Sequence, residues 1–276
     1  MFGIPIEDIA WLAGAIVAGG LVTGTLAGMF GIGGGGIIVP VLYEVFRVLG
    51  VPEEVRMQLC VGTSIAIIVP TNIRSYLTHR AHGAVLVDVV RAWAVPAVLG
   101  VATGSLIAAF APGKVLTIAY VVVAMIIAVK LLAGGDAWRL ADDLPHGIGN
   151  RIYGYGIGLA ASLMGISGGS VSNMILTLHG KSIHNAVATS AGLGVPVTIV
   201  GMIGYMLAGL PQQSMMPAFS IGFVSFVGVA LMAPVSSLIA PLGARLAHAM
   251  PKRNLEIVFG LFLLAASLRF LVSLIY

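Results

Sequence analysis

Long apolar stretches interrupted by glycine set the pattern of this chain. No Asp, Glu, Lys or Arg occurs from Ile9 to Tyr43, from Ile152 to Gly180, or from Asn185 to Ala244. A helix that crosses a bilayer needs about 20 predominantly apolar residues, so these stretches hold several crossings. The runs are continuous rather than alternating, which predicts helices and not the short two-sided segments of a membrane barrel.

Read in order, the pattern predicts a first helix from about Ile9 to Met29. A break follows at Gly31-Ile32-Gly33-Gly34-Gly35-Gly36, then a short apolar piece from Ile37 to about Leu49 that carries Pro40. The next helix runs from about Met57 to Leu77 and is interrupted by Pro70. Ala92 to Phe110 is another span, and Pro112-Gly113-Lys114 turns the chain into one that ends near Lys130. The most polar segment lies between Gly134 and Arg151. It divides the chain into a first membrane repeat (1–133), a linker (134–150) and a second membrane repeat (151–276).

The order recurs after the linker. Gly31-Ile32-Gly33-Gly34-Gly35 returns as Gly165-Ile166-Ser167-Gly168-Gly169. Thr63, Ser64 and Pro70 return as Thr189, Ser190 and Pro196, Pro96 as Pro234, and Pro112 as Pro251. A series of matches in chain order marks an internal repeat.

Cationic residues bear on the orientation of the halves, because Lys and Arg concentrate in cytoplasmic connections. In the first half the basic connection carries Arg74, Arg80 and Arg91, whereas the Pro112 turn carries Lys114 alone. In the second half the bias falls on the other hairpin, with Arg245, Lys252 and Arg253, and the stretch Gly209 to Met216 carries no charge. Such a swap is what an inverted repeat requires. Each half then needs an odd number of crossings, so the glycine-broken segment should enter and leave on one side. Ile152 to Gly180 is too short for two full crossings, which would take more than about 40 residues. The expectation is an all-α polytopic membrane protein of two inverted repeats, each a glycine-broken re-entrant helix pair plus three transmembrane helices. It puts both termini in the periplasm and the linker in the cytoplasm. The alternative is one long broken crossing per half, with parallel halves.

Composition sharpens this. Of 276 residues 59% are hydrophobic and 9% charged, against about 25% charged in soluble domains, and the mean hydropathy is +1.06. The net charge of +4 belongs with cytoplasmic loops rather than nucleic acid. The lone Cys60 excludes an internal disulfide and a cysteine cluster. No spacing suits a metal site, and no nucleophile constellation points to an enzyme; no cofactor is expected.

Chemistry concentrates at the breaks. Orphan amides at a helix end are costly in hydrocarbon and must face protein or a watery cavity. A helix N-terminus favours an anion through its N–H groups and dipole, and glycine lets the anion approach. The candidate substrate-binding residues are Gly33, Gly34 and Gly35 in the first half, with Ser167, Gly168, Gly169, Ser170 and Asn173 in the second. Thr63-Ser64 and Thr189-Ser190, each ahead of a proline, either line the cavity or bond back to their own helix. Asn72 lines the path or satisfies carbonyls that Pro70 frees. Arg74 attracts anions or snorkels to the interface. His179 and His184 are loop residues or proton carriers. Packing explains Gly24, Gly28, Gly154 and Gly158. The partners expected are the lipid bilayer, a small anionic substrate and a coupling ion, proton or sodium, with no nucleic acid. The missing intramembrane carboxylate argues against a cation cargo.

Gly28-Met-Phe-Gly-Ile-Gly-Gly-Gly35, Val61-Gly-Thr-Ser64, Gly165-Ile-Ser-Gly-Gly169 and Ala188-Thr-Ser190 give the chain a resemblance, over nearly its whole length, to the TauE/SafE sulfite-exporter family. The resemblance implies a multi-pass carrier in the cell inner membrane that moves small sulfur-containing anions, such as sulfite or organosulfonates like sulfoacetate, usually outward. Other readings are an uncoupled anion channel and a carrier of another small organic anion.

Overall fold

In the computed structural model, residues 14, 17–25, 35–81, 83–134, 140–145, 147–249 and 251–275 are described. The helices, in chain order, are α1 over 17–25, α2 (Gly35–Val48), α3 (Glu53–Ala81), α4 (Val87–Phe110), α5 (Gly113–Ala133), α6 (Ile148–Met164), α7 (Gly169–Leu178), α8 (Ile183–Gly209), α9 (Phe226–Ala249) and α10 (Lys252–Ile275). By length and composition, four stretches can cross a membrane: Val87–Phe110, Gly113–Ala133, His184–Met215 and Glu256–Leu274. Gly169–Leu178 is apolar but shorter. The outer faces are as apolar as the interior. On α4, Val95, Leu99, Leu106 and Phe110 point outward, Phe110 at 84% exposure, while Trp93, Ala97, Val101 and Ala108 are buried. A membrane protein needs that arrangement, because its outer face meets lipid tails.

The two Thr-Ser helices, α3 and α8, pack along each other at the centre. Both contain proline, yet neither is interrupted: α3 runs through Pro70 and α8 through Pro196. At about 1.5 Å per residue α3 is about 44 Å long, and it carries much of the buried core. Pro70 sits at the exposed surface, where the ring and the lost N–H bond disturb no packed neighbour.

Small residues bring the outer helices in. The Gly154 and Gly158 positions of α6 lie against the α4 backbone at Trp93 and Ala97, and a Cβ on Gly158 would collide with the Ala97 carbonyl. On α1, Gly24 approaches Ser236 of α9 as closely, a built Cβ lying 2.8 Å from its Cα. The packing reading of Gly24, Gly154 and Gly158 therefore holds; Gly28 lies outside the described residues.

Polar contacts fix how the ends are arranged. The open ends of α6 and α7 lie together: the Tyr153 hydroxyl is 3.4 Å from Nε2 of His179, and the Leu178 carbonyl accepts from the Leu140 N–H at 2.8 Å. Lys181 pairs with Asp143 at 2.8 Å. The pair α6–α7 is thus a hairpin with its glycine tip inside the protein. At the same end α5 and α10 meet antiparallel, the Arg253 guanidinium donating to the carbonyls of Leu131 (2.8 Å) and Leu132 (2.5 Å).

The described residues are mostly helical, with one short exception. Ser220–Ile221 (β1) and Val224–Ser225 (β2) form a two-residue antiparallel ribbon ahead of α9, after a 3-10 turn at Leu210–Met215. Gly222 turns the ribbon with φ +52°. The Gln213 amide braces it, donating to the Ser220 carbonyl and accepting from the Gly222 N–H, both at 2.7 Å.

Candidate functional site

The tip of the α6–α7 hairpin is built by two left-handed glycines. Gly165 (φ 72°, ψ 33°) ends α6 and Gly168 (φ 74°, ψ −1°) caps α7. At Gly165 a side chain would be strained by φ and crowded too, with Val39 Cγ2 at 2.7 Å and Val61 Cα at 3.1 Å from a built Cβ. Helix α7 begins at Gly169 and α2 at Gly35, positions that correspond in the sequence repeat. The two breaks touch: a Cβ on Gly35 would collide with the Gly165 carbonyl and stand 2.8 Å from Ile166 Cα. Gly33 and Gly34 lie outside the described residues.

Where a helix is broken, each backbone group needs an accounting. The carbonyls are met by side-chain hydroxyls. Tyr205 donates to the Ser162 carbonyl at 2.8 Å, a group left over because the Ile166 N–H turns to Ala161 instead. Ser64 donates to the Gly165 carbonyl at 2.7 Å. In α2, Pro40 supplies no N–H to Gly36, and Tyr120 donates there at 2.6 Å. The amides are treated differently. Among the described residues, nothing accepts from the N–H groups of Ser167, Gly168, Gly169, Ser170 or Val171. The Ser172 N–H and hydroxyl turn back to the Gly168 carbonyl, at 2.9 and 2.6 Å.

Three side chains add donors. Ser167 is 3% exposed and Ser170 half-buried, and neither hydroxyl is bonded to a described residue. The Asn173 Oδ1 accepts from the Ser190 hydroxyl at 2.7 Å, which leaves the amide N–H groups of Asn173 to serve something else. No charged residue falls on α2 before Glu44, on α3 between Met57 and Ile73, in Ile152–Gly180, or on α8 from Asn185 to Gly209. The tip is therefore a neutral, donor-rich site.

Not every residue singled out from sequence gathers there. Thr63 and Thr189 are buried, and each anchors a helix of the other half. Thr63 Oγ1 accepts from the Ser225 N–H, just before α9, at 2.9 Å. Thr189 Oγ1 accepts from the Leu86 N–H, just before α4, at 2.9 Å. The relation is reciprocal, since α4 and α9 correspond in the repeat. Asn72 bridges the central helices, Nδ2 donating to the Gly194 carbonyl of α8 at 3.3 Å; it does not reach the carbonyl that Pro70 would free, which belongs to Ala66. Arg74 is exposed, while Thr63 and Ile67 on the same face are buried. His179 is 3% exposed, its Nδ1 2.8 Å from the Ile175 carbonyl.

Tyr120 and Tyr205 were not singled out from sequence. A proline four residues after Gly36 foretells the carbonyl that needs a donor, but nothing local names the tyrosine 84 residues away that supplies it. A cavity of about 600 Å³ opens elsewhere, at the opposite end of the bundle from the α6–α7 opening. Tyr43, Glu53, Gln58, Lys114 and Gln212 are on its wall.

No solved structure matches the chain. A probable membrane transporter protein of Haemophilus influenzae is 30% identical over 249 residues, covering 90% of this chain and 94% of that one. A probable membrane transporter protein of Methanocaldococcus jannaschii is 25% identical over 260 residues, covering 89% and 92%. The family model of the sulfite exporter TauE/SafE matches residues 16–270. A multi-pass helical chain, matched almost end to end with both glycine-break helices inside the match, this protein belongs to the sulfite exporter TauE/SafE family.

Proposed function

We propose that the protein is a secondary transporter of the inner membrane that exports small sulfur-containing anions, sulfite or organosulfonates such as sulfoacetate. The observation that carries the anion is the unequal treatment of the backbone at the break. Hydroxyls of Ser64 and Tyr205 take the carbonyls left open, and among the described residues five successive N–H groups have no acceptor. An oxyanion offers several acceptor atoms to such a cluster, and the dipole of α7 favours its charge. With no Lys or Arg at the tip, the site suits a singly charged anion better than a dianion, whose desolvation neutral donors offset poorly. The sulfur chemistry comes from the family alone.

The halves act as inverted repeats (1–133 and 151–276, joined by a linker at 134–150) that rock about the break in alternating access. Three features support this reading: the hairpin form of α6–α7, the antiparallel packing of α5 on α10, and the reciprocal Thr63 and Thr189 contacts. Arg74, Arg80, Arg91, Lys130, Arg151, Lys181 and Arg253 stand toward the linker end, against Arg47, Arg56, Lys114 and Arg269 toward the other. By the positive-inside rule the linker end is cytoplasmic and both termini are periplasmic.

The test is a binding panel of sulfite, sulfoacetate, sulfate and carboxylates on purified protein, read by thermal unfolding, followed by flux in liposomes. Sulfite or a sulfonate should stabilise the wild type. Ser167→Ala should bind it more weakly by about three- to tenfold, the worth of one hydrogen bond, and Asn173→Asp should bind none. If no anion raises the wild-type midpoint, the site is wrong. Uphill flux under an imposed proton or sodium gradient marks a carrier, and downhill flux alone a channel.

A further inference from the structure

The cavity at the opposite end from the α6–α7 opening has a lining unlike that of the break. It lies where the N-termini of α3 and α5 meet the ends of α4 and α10 and the 3-10 turn. Gln58 is on its wall and is 2% exposed. Its Nε2 donates to the Ala111 carbonyl at 3.2 Å, which fixes the orientation of the amide. Its Oε1 is buried with no donor. Gln212 lines the same cavity, and its Oε1 is also buried without a donor. A buried amide oxygen left unpaired costs about 1–3 kcal/mol, and here two such oxygens belong to residues that line one cavity. Glu53 and Glu54 lie on that wall as well, and neither is ion-paired with a described residue. Glu44, nearby on α2, is engaged by Arg47 at 2.7 Å and Arg269 at 2.8 Å. Among described residues, Lys114 is the single cation on the wall.

We propose that this cavity binds a small monovalent cation, a metal ion such as sodium or an ammonium group, through Gln58 Oε1, Gln212 Oε1 and the carboxylates of Glu53 and Glu54. Hard oxygen donors of this kind suit such ions. The site stands apart from the glycine break, and the proposal does not depend on which anion the break holds. Coupling to a sodium gradient would have its ion-binding element here.

The experiment measures thermal unfolding of purified protein in chloride salts at constant ionic strength, so that any anion effect is held fixed. The cations are sodium, potassium, ammonium, methylammonium and N-methyl-D-glucamine, the last too bulky for an ion-sized site. A saturable rise in midpoint with sodium or potassium identifies a metal ion, and one with ammonium and methylammonium identifies an amine. Gln58→Met removes the buried acceptor at nearly constant volume. The double variant Glu53→Gln with Glu54→Gln changes exposed positions and keeps the fold. Each should raise the half-saturating concentration at least about tenfold, the effect of losing a charge-assisted contact. Equal midpoints in all five salts overturn the proposal, as does an unchanged cation response in the double variant.

Discussion

The hydroxyl of Tyr120 stands 2.6 Å from the carbonyl of Gly36, the group that Pro40 leaves without its helical partner. One buried side chain, on a helix more than eighty residues along the chain, thus repairs the start of the returning helix beside the first break. Tyr120 is 0% exposed and packs edge-on against Phe270 with centroids 5.0 Å apart, so no water can replace it. Tyr120→Phe keeps the ring and removes the donor. It should lower stability by about 1–3 kcal/mol, read as a drop in unfolding temperature, whereas Tyr120→Phe combined with Pro40→Ala should recover part of the loss by restoring the helical N–H.

The reciprocal threonines make a paired prediction. Thr63→Val strands the N–H of Ser225, and Thr189→Val strands that of Leu86. Each should cost about 1–3 kcal/mol. The two contacts lie at the starts of different helices, so the double variant should lose the sum of the single losses to within about 0.5 kcal/mol. Thermal unfolding of the four proteins decides it; a double variant no worse than either single would mean the contacts share one weak element.

Glycines with the same φ should differ sharply in tolerance. Gly165 and Gly50 have φ of 72° and 71°. Gly50 has nothing within 4 Å of a built Cβ, whereas Gly165 meets Val39 and Val61. Gly50→Ala should cost about 1 kcal/mol of backbone strain. Gly165→Ala adds a clash between packed helices and should abolish recovery of folded protein. Yield of monodisperse protein after detergent extraction is the readout.

The single cysteine gives a clean background for mapping sides. Cys60 is 0% exposed and should resist thiol reagents in the folded protein. Introduced cysteines at Lys114 and Gln212 should react with an impermeant maleimide from the periplasm. Those at Asp143 and Arg253 should react from the cytoplasm. Labelling of all four from one face would overturn the inverted arrangement.

Much of this architecture was readable from residue order. The glycine run at Gly165–Gly169 marked the break between α6 and α7, and the repeat placed helix starts at Gly35 and Gly169, where α2 and α7 begin. Small-residue spacing foretold a close helix approach at Gly158, and the structure supplies its partner, α4. Pro70 does not interrupt its helix as its position in the sequence suggests, because proline forbids one bond but a long packed helix absorbs the loss. Thr63 and Thr189 were noticed for their hydroxyls, yet their partners sit 162 and 103 residues away. Periodicity says which face is buried, not what it meets there. Gln58 raised no signal, since one amide in an apolar run reads as chance until its oxygen is found without a donor.

The crossed bonds of Thr63 and Thr189 also constrain the order of assembly. Leu86 leads into α4, and its acceptor lies on α8, made about a hundred residues later. The first half must therefore wait in the membrane with that backbone amide unmet until the second half arrives. A chain severed in the segment between α5 and α6 should leave two pieces that are degraded when made alone and active when made together.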